Sequence, residues 1–118
     1  MVEHGLRVFE ELAQPGADDV LLMTDLHGGN VLSAQRVEWL AMDPKPFAGD
    51  RAYDATQHLL NCRERLAARP LETIRRLADL AGVDGTCLRR WLFARAAAEP
   101  RDDWRDESLP RLARALAD

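Results

Sequence analysis

Leu21-Leu22-Met23-Thr24-Asp25-Leu26-His27-Gly28-Gly29-Asn30-Val31-Leu32 is the stretch from which the rest of the chain is read. An apolar run ends on an Asp, a glycine-rich turn follows, and an Asn stands five positions after that Asp. The answering stretch is Trp39-Leu40-Ala41-Met42-Asp43, a second apolar run that delivers another Asp. Strand-like runs that end on polar residues hold those residues at the rim of a rigid scaffold, where a cleft can form. Two carboxylates and an amide suit one proton acceptor and one hard, oxygen-loving cation such as Mg²⁺. Phosphoryl transfer uses such a set: a carboxylate takes the proton of the attacking hydroxyl, and an amide oxygen a few residues on holds a metal. This makes Asp25 the candidate base, with Asn30 and Asp43 as candidate metal ligands. Taken singly, Asp25 and Asn30 also fit plain turn residues whose side chains bond nearby backbone.

Working outward, the spacing predicts a helix over 2–13 with Val2, Leu6, Phe9 and Ala13 on its apolar face, ended by Pro15-Gly16. Short strands are expected at 20–23, 31–34 and 37–42, the last two as a hairpin beside the polar loop. Pro44 and Pro46 bracket Lys45 and oppose regular structure there, and Gly49 loosens the chain again. Asp50 is a good N-cap for a helix over 51–67, with Ala55, Leu59, Cys62 and Leu66 inward. Pro70 opens another helix, lined by Leu71, Ile74, Leu77 and Ala81 and closed by Gly82. Asp84 caps a helix carrying Leu88, Trp91, Leu92 and Ala96, which Pro100 stops. Residues 107–117 form a last helix with Leu109, Leu112, Ala113 and Leu116 inward. The expected fold class is α+β, mostly helical, in a single domain over 1–118.

Composition sets outer bounds. The 118 residues are 47% hydrophobic and 31% charged, as in ordinary soluble domains. A net charge of −4 gives no bulk attraction for nucleic acid. Two cysteines, Cys62 and Cys87, are too few for a disulfide scaffold and fit free thiols in a reducing, cytoplasmic setting. No apolar run approaches the ~18 residues of a membrane span, and the N-terminus carries no signal-peptide pattern.

Three motifs together resemble a known family. They are Thr24-Asp25-Leu26-His27-x-x-Asn30-Val31-Leu32, Trp39-Leu40-Ala41-Met42-Asp43-Pro44-Lys45-Pro46-Phe47 and Gly49-Asp50-x-x-Tyr53-Asp54-Ala55. The combination resembles the aminoglycoside phosphotransferase family, and within it the streptomycin 6-kinase and hydroxyurea phosphotransferase branch. The likeness continues through Gln57-His58-Leu59-Leu60-Asn61-Cys62 and, more loosely, from Trp91 to Pro100. The resemblance implies the C-terminal lobe of a protein-kinase-like fold, ATP as co-substrate with Mg²⁺, and a small-molecule antibiotic whose hydroxyl accepts the phosphoryl group. It implies Asp25 as catalytic base, Asn30 and Asp43 as metal ligands, and Asp54 as the carboxylate that ties down the loop backbone. An acid favoured by the helix dipole in a first turn is the plainer reading of Asp54. Many kinase-like loops carry His two residues before the catalytic Asp; Met23 stands there, as this branch allows.

His27 and Lys45 are candidate phosphate or substrate contacts, against a hydrogen-bonded structural histidine and a solvated loop charge. His58, four residues after Asp54, suggests a helix-surface or packing pair. Trp39, Trp91 and Trp104 are expected to pack. The run Glu99, Asp102, Asp103, Asp106, Glu107 could serve a cationic sugar but suits a solvated surface.

Such a lobe would work with parts not seen in this sequence: a glycine-rich strand pair over the phosphates and a strand lysine before the loop. The chain is therefore expected to be the catalytic lobe alone, with the nucleotide lobe absent and Met1 a possible mis-called start. An uncovered apolar face would then promote self-association. Two other readings stay open: a non-catalytic remnant that keeps the motif, and the same fold acting on another hydroxyl acceptor such as choline, homoserine or a sugar amine.

Overall fold

The computed structural model of the chain describes residues 1–25, 27–42 and 47–117. Its centre is one helix, α5 (Gly85–Ala98), which Asp84 caps by accepting the Cys87 N–H. Leu88, Trp91, Leu92, Phe93, Ala94 and Ala96 of α5 are all buried, so the helix is apolar around most of its circumference. Such a helix has to be wrapped on all sides. The wrapping comes from α1 (Val2–Leu12), α2 (Arg51–Asn61), α4 (Pro70–Ala81) and α6 (Ser108–Leu116), all of which pack on it. Leu59, Leu66, Leu88 and Leu92 have at most 1% of their surface exposed. Each contributes about 1.5–3 kcal/mol of burial free energy.

The sequence predicts the right face for α6, where Leu112, Ala113 and Leu116 are buried. It misplaces the face of α1. Val2 and Leu6 are exposed, while Gly5 and Val8 are buried and Phe9 and Leu12 pack against the core. The cause is Gly5. A Cβ there would lie 2.6 Å from the Ala97 Cβ, so only glycine allows α1 to come this close to α5. Apolar spacing weighs large side chains and is blind to a contact made by a missing one. On α4 the inward residues are Ile74, Leu77 and Ala78, whereas Leu71 and Ala81 are exposed. Gly82 closes that helix in the left-handed region, at φ +67°.

One long helix over 51–67 is not found. The chain breaks at Cys62 (φ −106°, ψ 47°) into α2 and a short α3 (Arg63–Ala68). Cys62 is thus a half-buried junction residue and not part of a continuous stripe.

Four strands form two two-stranded sheets among the described residues. The hairpin pairs β2 (Val31–Ser33) with β3 (Trp39–Ala41) in the register Val31↔Ala41. The other sheet was not foreseen: β1 (Val20–Leu22) pairs antiparallel with β4 (Phe47–Gly49), in the register Val20↔Gly49. Gly49 belongs to this ladder, and a Cβ on it would sit 3.1 Å from Leu22 Cδ1. That close approach is why glycine, usually a strand breaker, is accommodated here. Trp39 and Trp104 are exposed, contrary to the expectation that they pack; Trp91 alone of the three is buried. No helix among the described residues is long and apolar enough to cross a membrane.

Candidate active site

β1 leads straight into the loop that carries Asp25. Its first turn is held from outside. The Met23 and Thr24 backbone N–H groups donate to Asp54 Oδ2 and Oδ1, each at 2.8 Å. Thr24 has φ +61°, in the left-handed region that a β-branched residue enters at a cost of about 1–3 kcal/mol. Two charge-assisted bonds from one carboxylate offset that cost and fix the backbone immediately before Asp25.

The other end of the loop is held from inside. Gly28–Asn30 form a single 3-10 turn. His27 Nδ1 accepts the Gly29 N–H at 3.0 Å, and the Asn30 N–H donates to the His27 carbonyl at 2.9 Å. Asn30 Nδ2 donates to the Asp25 carbonyl at 2.8 Å, closing the loop across five residues. The amide nitrogen being used this way, Asn30 Oδ1 is the oxygen left to serve a ligand. His27 Nε2 lies 3.2 Å from Asn30 Nδ2 and pairs with Asp25 Oδ1 at 3.8 Å. Both side chains are about a third exposed, so this pair contributes little to stability. The Met42 N–H donates to the Asn30 carbonyl at 2.6 Å, tying the strand end before Asp43 to the same loop.

Asp25, Asn30, His27 and Asp54 are therefore brought together. Asp43 and Lys45 lie outside the described residues. Among those described, no group of three or more His, Cys, Asp or Glu side chains is placed to hold a metal. The oxygen of Asn30 suits Mg²⁺, which is commonly held by one or two protein groups plus phosphate and water.

Asp25 borders a cleft of about 580 Å³ between α1, the β1–β4 ladder, α2 and α5. Phe9, Tyr53 and Trp91 form an aromatic wall there, with Trp91 edge-on to Phe9 at 5.3 Å and to Tyr53 at 5.2 Å. Asp19 and Asp50 also line it, and among the described residues no Arg, Lys or His does. A second cleft of about 730 Å³ lies on the other side of the loop, with His27, Arg51, Asp54 and His58 in its walls.

The residue matches extend beyond the geometry. The family model of the aminoglycoside/hydroxyurea antibiotic resistance kinases matches residues 1–105. The chain belongs to this kinase family. A streptomycin 6-kinase of Streptomyces glaucescens is 36% identical over 94 residues, covering 75% of this chain and 30% of the relative. A hydroxyurea phosphotransferase of Kitasatospora aureofaciens is 52% identical over 52 residues, 44% of this chain and 15% of the relative. A streptomycin 6-kinase of Streptomyces griseus is 44% identical over 61 residues, 52% of this chain and 19% of the relative. The chain thus spans less than a third of the length of the curated relatives it matches. No solved structure matches it.

Reading the sequence of this family member for helix caps and core positions undervalues two groups. Asp50 is more than a cap: Oδ1 accepts the Ala52 N–H at 2.9 Å, while Oδ2 accepts from Trp91 Nε1 and Cys87 Sγ, each at 3.0 Å. Cys87 and Trp91 are four apart on one helix face, a spacing that marks them as a paired donor set once a carboxylate is sought for them. Arg95 is the second. Almost fully buried, it donates to Thr56 Oγ1 at 2.8 Å and Gln57 Oε1 at 3.1 Å, pairs with Glu99, and lies over the Tyr53 ring at 4.9 Å. Glu99 is thereby occupied. Asp106 accepts from Arg63 at 3.0 Å and from the Ser108 N–H, and Glu107 faces Arg114 at 3.7 Å. Those three acids serve internal pairs.

Burial pushes the Cys87 thiol up to about 12, reinforced by its hydrogen bond to Asp50 and by that residue's charge, so Cys87 stays a proton donor. For Asp50, burial works to raise the pKa, but bonds from Cys87, Ala52 and Trp91 outweigh it and the group lies below its ordinary 3.8. A depressed folded value stabilises the fold above the unfolded pKa, and that stability is lost as pH falls through the folded one. The stability gap between wild type and Asp50→Asn is therefore expected to be full at pH 6 and to narrow once pH drops below 3.8. Urea unfolding at several pH values measures it; a gap that widens in acid rejects this account.

Proposed function

We propose that this chain supplies the catalytic-loop lobe of a protein-kinase-like enzyme that moves the γ-phosphoryl group of ATP to a hydroxyl of a small-molecule antibiotic. The observation that carries the reading is the loop itself: Asp25 at the rim of a cleft, its backbone held by Asp54 on one side and Asn30 on the other. The family of antibiotic resistance kinases supports the reaction class, and the streptomycin 6-kinase and hydroxyurea phosphotransferase relatives support the acceptor type.

In this reading the acceptor enters the Asp25 cleft. Asp25 takes the hydroxyl proton as the oxygen bonds to the γ-phosphorus and the bond to the β–γ bridging oxygen breaks. Asn30 and Asp43 would hold Mg²⁺, which neutralises phosphate charge when bound. His27 caps the turn that presents Asn30, and Lys45 is proposed as a phosphate contact. The exposed apolar side chains Leu21, Leu32, Trp39, Leu40 and Phe47 on the strands fit a surface that a nucleotide-binding lobe covers.

The test is a chimera in which this chain replaces the matched segment of the Streptomyces glaucescens enzyme. With γ-labelled ATP, label is expected on streptomycin or on hydroxyurea. Label on neither, with the chimera folded and binding ATP, overturns the antibiotic acceptor. The 118-residue chain alone is expected to bind Mg·ATP weakly or not at all, by calorimetric titration.

A further inference from the structure

We propose that Asp50 is a positioning residue for the Asp25 loop, acting through a relay from α5 to α2 to the loop backbone. The inference rests on the reading of Asp25 as base and adds what holds that base in place. Asp50 stands at the corner where β4 turns into α2. Its Oδ1 starts α2 by capping Ala52, and its Oδ2 takes two side-chain donors from α5, Trp91 Nε1–H and Cys87 S–H. One turn later α2 carries Asp54, whose carboxylate holds the Met23 and Thr24 N–H groups. β4, which leads into Asp50, is itself paired with β1, which leads into Met23. The ladder and the helix that support the backbone before Asp25 therefore meet at Asp50, whose carboxylate ties that corner to the most buried helix.

This arrangement exceeds what a helix cap requires. Capping uses one oxygen, and serine or asparagine would do it equally well. The second oxygen accepts from two donors 37 and 41 positions away. Only an acceptor-only group can satisfy an indole N–H and a thiol together there while the other oxygen caps the helix. Asn at this position would keep the cap and point an NH₂ at Trp91 Nε1–H, leaving two donors facing each other.

The chemistry separates the relay from plain stability. Asp50→Asn keeps the cap and breaks the tie. Trp91→Phe removes the N–H and keeps a ring against Phe9 and Tyr53. Cys87→Ser retains an O–H donor and is the conservative control. The experiment is amide hydrogen exchange by NMR on the 118-residue chain. In both Asp50→Asn and Trp91→Phe the Met23 and Thr24 amides are expected to exchange about tenfold faster, with the Leu92 and Phe93 amides of α5 nearly unchanged, and Cys87→Ser is expected to match wild type. Unchanged exchange at Met23 and Thr24 in Trp91→Phe overturns the proposal. So does equal acceleration of every amide, which is what a merely structural role would give. Should Asp50→Asn fail to fold, Trp91→Phe decides by the same readout. Turnover does not enter, so a failed relay leaves Asp25 as base, and a failed base leaves the relay standing.

Discussion

Asp25→Asn in the chimeric enzyme is expected to lower kcat by about 10²–10⁴-fold, the range that a positioned general base supplies. The substitution is nearly isosteric, and the Asp25 contact that shapes the loop is made by its backbone carbonyl, to Asn30 Nδ2. Loop geometry should therefore survive, so ATP affinity and the melting temperature are expected to stay close to wild type. The change removes the carboxylate that would accept a proton from the acceptor hydroxyl and alters the 3.8 Å pair with His27, while the backbone bond to Asn30 stays. Steady-state kinetics with a parallel nucleotide titration would decide it. If kcat stays within a few-fold of wild type, Asp25 is not the base. If ATP affinity collapses along with kcat, the residue is holding the loop together and the chemistry lies elsewhere.

Asp54→Ala has a different signature. It leaves two backbone N–H groups without their acceptor and releases Thr24 from a backbone conformation that it does not adopt unaided. Each charge-assisted bond is worth about 1.5–3 kcal/mol, reduced here because Asp54 is partly exposed, so a net loss of roughly 3 kcal/mol is expected. For a domain of this size that is roughly a 10 °C drop in Tm. Turnover should fall by about 10²-fold as well, since a base displaced by an ångström loses most of its advantage. Asp54→Asn is expected to behave almost as badly, because one of its two side-chain positions would then oppose an N–H with an NH₂. Calorimetry and kinetics on both variants test this. A wild-type Tm in Asp54→Ala would show that other contacts hold the loop.

The site was more legible in the sequence than its supports were. Asp25 and Asn30 show in the sequence because one short loop sets their five-residue spacing, Asp54 only through the family resemblance, and the structure does bring the three together around one turn. The β1–β4 pairing was not legible. Phe47-Ala48-Gly49 follows two prolines and ends in glycine, so local propensity argues against a strand, and only the partner 27 residues away in the ladder, Val20↔Gly49 being 29 apart at its far end, makes it one. The Asp50 relay was hidden for a related reason. Asp, Cys and Trp each have an ordinary local explanation, and their union depends on how α5 crosses the start of α2. The break at Cys62 and the Gly5 contact with α5 are likewise tertiary decisions that a pattern of apolar residues does not encode.

Glu11 on α1 pairs with Arg90 on α5, 79 positions later, and Gly5 fits only against that same late helix. During synthesis at about 5–20 residues per second, Glu11 waits some 4–16 seconds before Arg90 has been made. Throughout that interval α1 lacks the helix that Gly5 fits against, and the Asp50 carboxylate lacks its Cys87 and Trp91 donors. Under the relay proposed above, the Asp25 loop therefore gains its full support only after residue 91 has been made, although every residue of the loop itself was in place more than sixty positions earlier.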